Sequence, residues 1–446
     1  MENEEAHELI PSPKRLIKSL RDIGYNFSSA VADLIDNSIE ASASRVEIHV
    51  IFNGNNSFVR IADNGKGMGI SELKEAMRYG SERIYHEEDL GKFGLGLKTA
   101  SMSQCQCFSI ASRNSKSKDI ASFCWDLDRI EKTNRWEIFT PSKEKLIEVL
   151  HNPLKEQTGT VILWEKLDRI LGYKHPYGEQ ARRKLNYMCR ELEDYLAMVF
   201  HKFLSNEVPR KKLDIFINNN KIKPWDPFAR DEPNTKKLSE IKIELEHEGI
   251  NGDLILHPYI LPSKDEFTSS GAFKNFSGPA NWNWQQGFYI YRSNRMIQSG
   301  GWCGLRSSDE HTKLCRIELN FSPKFDNAFK INVAKMRVQL PIQIRDLIDE
   351  TIVPIVRLAR EYYDGKMKPP SKKPANLGSA SSLGTETTSK NPSPQKFNGG
   401  NFSTNEQKFT LDEIEQKATS LASEKEKPII NQVFRRLRKV LLEGTK

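Results

Sequence analysis

Between residues 26 and 41, Phe27, Ala30, Val31, Leu34, Ile35 and Ile39 recur at helical spacing and line one face. This predicts a helix that turns Asp33, Asp36 and Asn37 toward a neighbouring pocket. A shorter helix is expected over 12–20. The pattern then changes to strands at 45–52 and 57–62, separated by the turn Asn53-Gly54-Asn55-Asn56, and again at 107–111, 121–127 and 160–163. Residues 177–204 read as one long helix. Beyond it come a hairpin (213–217 and 221–222, about Asn218-Asn219-Asn220), strands at 241–245, 252–260, 287–291 and 314–321, and a helix over 342–363. From about 365 to 408, Pro, Ser, Lys, Asn, Gly and Thr displace apolar residues, so a flexible linker is expected. Residues 411–442 regain a helical period, with Ile430, Val433, Phe434, Leu437 and Leu441 flanked by Arg435, Arg436, Arg438 and Lys439.

Strands interspersed with helices in a chain of 446 residues indicate an α+β protein with two or three domains. No apolar run is long enough to span a bilayer, and the acidic start Met1-Glu2-Asn3-Glu4-Glu5 has no hydrophobic signal region. A cytoplasmic location away from membranes is therefore expected. The cysteines at 105, 107, 124, 189, 303 and 315 form no C-x₂-C pair, and Cys105-x-Cys107 reads as buried strand positions. No metal is expected except one carried by a nucleotide. The net charge of +8 is compatible with nucleic acid as a partner without demanding it.

Four short segments carry the chemistry: Asp33-x-x-Asp36-Asn37, Asp63-x-Gly65-x-Gly67, Gly91-Lys92-Phe93-Gly94-Leu95-Gly96-Leu97-Lys98 and Gly159-Thr160. Asn37 offers a neutral amide oxygen suited to Mg²⁺. Asp33, four residues earlier and one helical turn away, is placed to orient and deprotonate an attacking water. A solvated acidic helix face would look the same in isolation. Asp63, after a strand and before two glycines, can accept the adenine amine where the backbone approaches closely, although Asp-Asn-Gly is also a common turn. Gly94 and Gly96 lead into a helix start at Leu97-Lys98-Thr99, where backbone N–H groups and the Lys98 charge can meet phosphate oxygens. Residues 78–92 are polar and broken by Gly80-Ser81, as a mobile lid would be. Neither a Walker A loop nor G-x-G-x-x-G is present.

In combination these segments resemble the Bergerat-fold ATPases, the GHKL group of gyrase B, the ninety-kilodalton heat-shock chaperones, histidine kinases and MutL. Ala32-Asp33-Leu34-Ile35-Asp36-Asn37 matches the helix box and Asp63-Asn64-Gly65-Lys66-Gly67-Met68 the adenine box. The lid box, Gly91 through Ser101, is closest to its MORC form, and Gly159-Thr160-Val161-Ile162 resembles the last box, whose threonine lies near adenine. The resemblance implies ATP and Mg as ligands. It places Gly94, Leu95, Gly96, Leu97, Lys98 and Thr99 at the phosphates, and Asp63, Gly65, Gly67, Met68 and Thr160 at the base. One departure is that the group's general base is usually glutamate, where this chain has Asp33. Slow turnover is expected, because a carboxylate drawn back by one methylene can cost ~10²-fold.

Ile331-Asn332-Val333-Ala334-Lys335-Met336-Arg337-Val338 resembles the MutL-type transducer loop, which implies that Lys335 senses the γ-phosphate. Residues 287–295 resemble the strand and turn of the same S5-like domain. The implied organisation is a GHKL ATP-binding domain of α/β-sandwich type at 1–175, a transducer domain at 176–365, a linker at 366–410 and an amphipathic helix at 411–446.

The leading expectation is a Mg-dependent ATPase acting as an ATP-gated, dimerising clamp or switch on DNA, with double-stranded DNA as a candidate partner, or on a DNA-processing partner. A nuclease or other operon partner would supply the DNA chemistry, as in prokaryotic MORC-like defence systems. The alternative is a nucleotide-sensing scaffold with little turnover. A histidine kinase is disfavoured because His7 has no dimerisation helix around it. A topoisomerase subunit lacks room for a cleavage module, and a chaperone lacks its middle and dimerisation domains. The tail helix can pair with a partner, touch DNA phosphates or pack on its own chain. Trp282, Trp284 and Trp302 read as core or interface aromatics.

Overall fold

Asn26 starts the expected helix by accepting the Ser29 N–H at 2.8 Å on its side chain, while the Ser29 hydroxyl accepts the Asn26 N–H at 3.1 Å. The helix forms as Phe27–Glu40, and its apolar stripe is buried as the spacing requires. Asp33 and Asp36 are buried as well, so this helix is enclosed on both sides. A computed structural model of the chain describes residues 10–365 apart from 23, 81–93, 95, 118, 143, 173–174, 210, 248, 280, 332–334 and 336–337, together with Thr419 and Phe434. The linker and tail helix expected after residue 365 thus lie outside the described residues, except for those two positions.

The fold is mixed α+β, built on two mixed sheets. The first contains β1 (Arg45–Ile51), β2 (Phe58–Asp63), β3 (Cys107–Arg113), β4 (Ala121–Asp126), β5 (Gly159–Glu165), β6 (Asp214–Ile217) and β7 (Asn220–Lys221), in the order β4-β3-β5-β2-β1-β6-β7. Alternation divides its faces. Val59, Ile61, Phe108, Ile110, Ile162 and Trp164 face the main core beneath the helices. Ala62, Ala111, Val161 and Leu163 face a smaller core with Leu150 and Leu154. Register places Asp63 opposite Thr160, which joins the second and fourth sequence segments at one end of the sheet.

This sheet does not stop near residue 175. The helix Glu179–Val199 packs on Phe27–Glu40, and the 214–221 hairpin joins the sheet through β6, parallel to β1. The first core accordingly runs through Ile222. The long helix expected at 177–204 breaks at Phe200, where φ is −105°, before a short turn of helix at His201–Leu204. Phe200 and Phe203 drop into the core there.

The second sheet has β8 (Lys236–Lys237), β9 (Ile241–His247), β10 (Ile250–Ile260), β11 (Gly287–Arg292), β12 (Arg295–Ser299) and β13 (Cys315–Phe321). Its order is β12-β11-β13-β10-β8, with β9 also paired to β10. The helix Ile342–Tyr363 buries Ile344, Ile348, Ile352, Ile355, Val356 and Ala359 in the same core. Strand β12 was not expected from the apolar pattern. It arises because Ser293 (φ 49°) and Asn294 (φ 68°) form a two-residue reversal whose positive φ values match strand twist, so Arg295 pairs back onto Arg292.

Trp302 is core, Trp282 stacks on Phe273 with centroids 4.6 Å apart, and Trp284 is exposed. No helix among the described residues is long and apolar enough to cross a membrane.

His201 is fully buried and shares a 2.7 Å hydrogen bond with the Tyr291 hydroxyl. Burial pushes its pKa down to about 4, with Lys202 and Arg230 adding to the effect against Asp226 and Glu207. The fold therefore favours neutral imidazole. No penalty exists above the unfolded pKa near 6.5, and one grows as pH falls from there to about 4. Acidification from pH 7 to 4 is expected to remove roughly 3 kcal/mol through this residue. Urea unfolding of wild type and His201→Asn at both pH values checks this, since the variant should lose correspondingly less.

Candidate functional site

At the end of β2, the Asp63 carboxylate gathers three donors. Oδ1 accepts the N–H groups of Gly65 (2.8 Å) and Thr160 (3.3 Å), and Oδ2 accepts the Ser38 hydroxyl (3.1 Å). Burial raises its pKa, and these three hydrogen bonds oppose the shift. Behind it, Ser112 ties the strands together. Its hydroxyl bonds the Gly159 carbonyl at 2.8 Å, shares a 3.0 Å bond with Thr160 Oγ1, and accepts the Met68 N–H at 2.9 Å. The glycines are required by proximity. A Cβ on Gly67 (φ 64°) would lie 1.9 Å from the Arg113 carbonyl oxygen, and one on Gly159 would lie 2.0 Å from that of Asp63. Asp63, Gly65, Gly67, Met68 and Thr160 thus converge, as the sequence segments suggested.

One helix face away lies a buried knot of charge. Lys335 Nζ donates to Asp33 Oδ1 at 2.7 Å and to Asp36 Oδ2 at 2.8 Å. Arg295 Nε donates to Asp36 Oδ1 at 2.8 Å, and the Tyr25 hydroxyl donates to Asp33 Oδ2 at 3.0 Å. Burial alone would lower the Lys335 pKa, but Asp33 and Asp36 outweigh it and hold the ammonium above its usual range. Burial together with the neighbouring Asp33 raises the Tyr25 phenol, which keeps it a donor. Asn37, the expected metal ligand, is half-buried one turn beyond Asp33. Its amide oxygen and the carboxylate of Asp33 are oxygen donors of the kind Mg²⁺ and an attacking water require.

Of the lid segment, Gly94 and the helix Gly96–Met102 are described, whereas Leu95 and 81–93 lie outside the described residues. Gly96 abuts the carboxylate so closely that a Cβ would sit 2.3 Å from Asp33 Oδ2. Leu97 packs against the first core, and Thr99 is buried beside the Tyr25 hydroxyl. Lys98, expected as a point charge for phosphates, rests on backbone carbonyls. Its buried ammonium donates to the carbonyls of Gly94 (2.7 Å) and Ala76 (3.1 Å), and burial lowers its pKa to about 8. In this arrangement Lys98 braces the loop.

Residues 25–160, which contain all four segments, match the family model described as histidine kinase-, DNA gyrase B- and HSP90-like ATPase. These residues form a GHKL ATPase domain. Curated relatives of this chain are named DNA mismatch repair protein MutL. The protein from Shewanella woodyi is 23% identical over 238 residues, covering 50% of this chain and 34% of the relative. That from Klebsiella pneumoniae is 27% identical over 252 residues, covering 52% and 35%. That from Actinobacillus succinogenes is 29% identical over 140 residues, covering 30% and 19%. The chain therefore spans about a third or less of the length of these relatives.

Tyr25, Ser38, Ser112 and Arg295 contact the expected site residues but escaped sequence reasoning. Ser38 adjoins Asn37 in the helix box and could have been included on helical spacing. Ser112 carries no local signal, because its role depends on which strands β3 and β5 place side by side.

Proposed function

We propose that the chain binds Mg–ATP and hydrolyses it slowly. In this reading Asp33 is the general base, Lys335 senses the γ-phosphate, and the protein acts as an ATP-gated switch on DNA or a DNA-processing partner. The carrying observation is that Lys335, contributed by the segment after the second sheet, reaches Asp33 of the first domain at 2.7 Å. A cation shared between base and sensor sites can respond to an arriving γ-phosphate. Its differential contacts with and without nucleotide are what a switch needs.

The residues present fit the ligand. Asp63 would accept the adenine amine, and Asn37 would offer its oxygen to the metal. Mg²⁺ accompanying the nucleotide would offset phosphate charge. Asp33, oriented by Tyr25, would take the proton of the attacking water. Dimerisation on ATP, a clamp mechanism and membership of a MORC-like defence system extend this reading. The MutL relatives and the net charge of +8 favour DNA as the polymer involved.

The test is steady-state phosphate release with Mg²⁺, with EDTA, and with added double-stranded DNA. Metal-dependent turnover that rises with DNA supports the switch. Tight ATP binding with no turnover under any condition would replace it with the sensing scaffold. A companion substitution, Gly96→Ala, should reduce kcat by about 10²-fold, because the new Cβ must displace the Asp33 carboxylate. The same phosphate assay reads it.

A further inference from the structure

Arg295 and Asp36 are the charged members of the knot to which the proposed reaction assigns no part, and Arg295 also reaches the backbone of Lys335. It is completely buried. Nε binds Asp36 at 2.8 Å, and Nη1 donates to the backbone carbonyls of Lys335 and Met296, each at 3.2 Å. Its guanidinium carbon also lies 5.8 Å from the centre of the Phe200 ring. The Lys335 backbone that it grips has φ 49°, a left-handed conformation that a lysine does not adopt without support. Asp36 is shared between Arg295 and Lys335 through its two oxygens, so the arginine offsets one carboxylate and leaves the ammonium able to serve the other. The planar fork of a guanidinium can bridge a carboxylate and a carbonyl at once, which a lysine ammonium at the same place cannot do with the same geometry.

We propose that Arg295 is the positioning residue that seats Lys335 against Asp33, by fixing the lysine's backbone carbonyl and neutralising Asp36. Its effect on ATP rests on the function proposed above; its hold on Lys335 does not. The tight reversal at Ser293-Asn294 delivers Arg295 to this point, so the hairpin of the second sheet and the helix of the first domain meet through one side chain.

The test uses the full chain without nucleotide and follows acetylation of individual lysines by sulfo-N-hydroxysuccinimide acetate with mass spectrometry. In wild type, Lys335 should react at least ~10-fold more slowly than exposed Lys14, because access requires local opening. Arg295→Lys should raise the Lys335 rate about tenfold or more and leave Lys14 unchanged. In ATP assays of the same variant, kcat should fall about tenfold or more, and KM should rise as the Lys335 contact proposed for the γ-phosphate weakens. A folded Arg295→Lys protein in which Lys335 stays as slow as in wild type overturns the proposal. Should that variant fail to fold, Asp36→Asn/Arg295→Met is compared with Asp36→Asn alone. Removing both partners leaves no unpaired buried charge. Faster Lys335 labelling in the double variant supports the role, and equal rates overturn it. If wild type neither binds nor hydrolyses ATP, the functional reading fails while the labelling comparison still decides the role of Arg295.

Discussion

Asp33→Asn is expected to lower ATP turnover by roughly 10²–10⁴-fold, the range that a positioned general base contributes. Asparagine has nearly the shape of aspartate, so the contact with Gly96 persists and the Tyr25 hydroxyl keeps an oxygen to donate to. Lys335 keeps Asp36 at 2.8 Å. Lys335 and Arg295 then share Asp36 alone among the described residues, so the folded state should lose about 3–5 kcal/mol as well, and the collapse of kcat should exceed any change in ATP affinity. Single-turnover phosphate release beside calorimetric ATP binding separates the two effects. Turnover retained within threefold (roughly 0.6 kcal/mol in barrier height) would remove Asp33 from the role of base.

The second large effect is expected for Lys335→Met. Methionine fills much of the same volume but, among the described residues, leaves Asp33 with the Tyr25 hydroxyl alone and Asp36 with Arg295 alone. An uncompensated buried carboxylate costs about 3–5 kcal/mol. Urea unfolding at pH 8 should show that loss. Turnover should fall as well, since the γ-phosphate contact is gone. A variant as stable as wild type at pH 8 would mean that the knot is not formed in solution.

These expectations depend on pairings of very different legibility. The helix Phe27–Glu40 was readable because its apolar stripe and its Asn26 cap are local features. The convergence of Asp63 and the glycines could be anticipated because a carboxylate after a strand and residues without a Cβ point to close approach. Lys98 could not be placed. Its sequence neighbourhood suggests a phosphate contact, yet the geometry turns its ammonium onto the carbonyls of Ala76 and Gly94. The hairpin at 214–221 was visible as a hairpin, but its membership of the first sheet was not, because that depends on a parallel pairing with β1 across a long separation.

The sequence by itself determined many of the longer helices and strands, the four nucleotide-type segments and the resemblance to GHKL ATPases, because these rest on spacing within a few residues. Only the tertiary structure decided that Asp36, Arg295 and Lys335 form one buried knot with Asp33. Arg295 is 259 positions from Asp36, and Lys335 is 302 from Asp33. No local periodicity records a contact over such distances. It exists because charges brought out of water must find partners when the second sheet packs against the helix of the first domain.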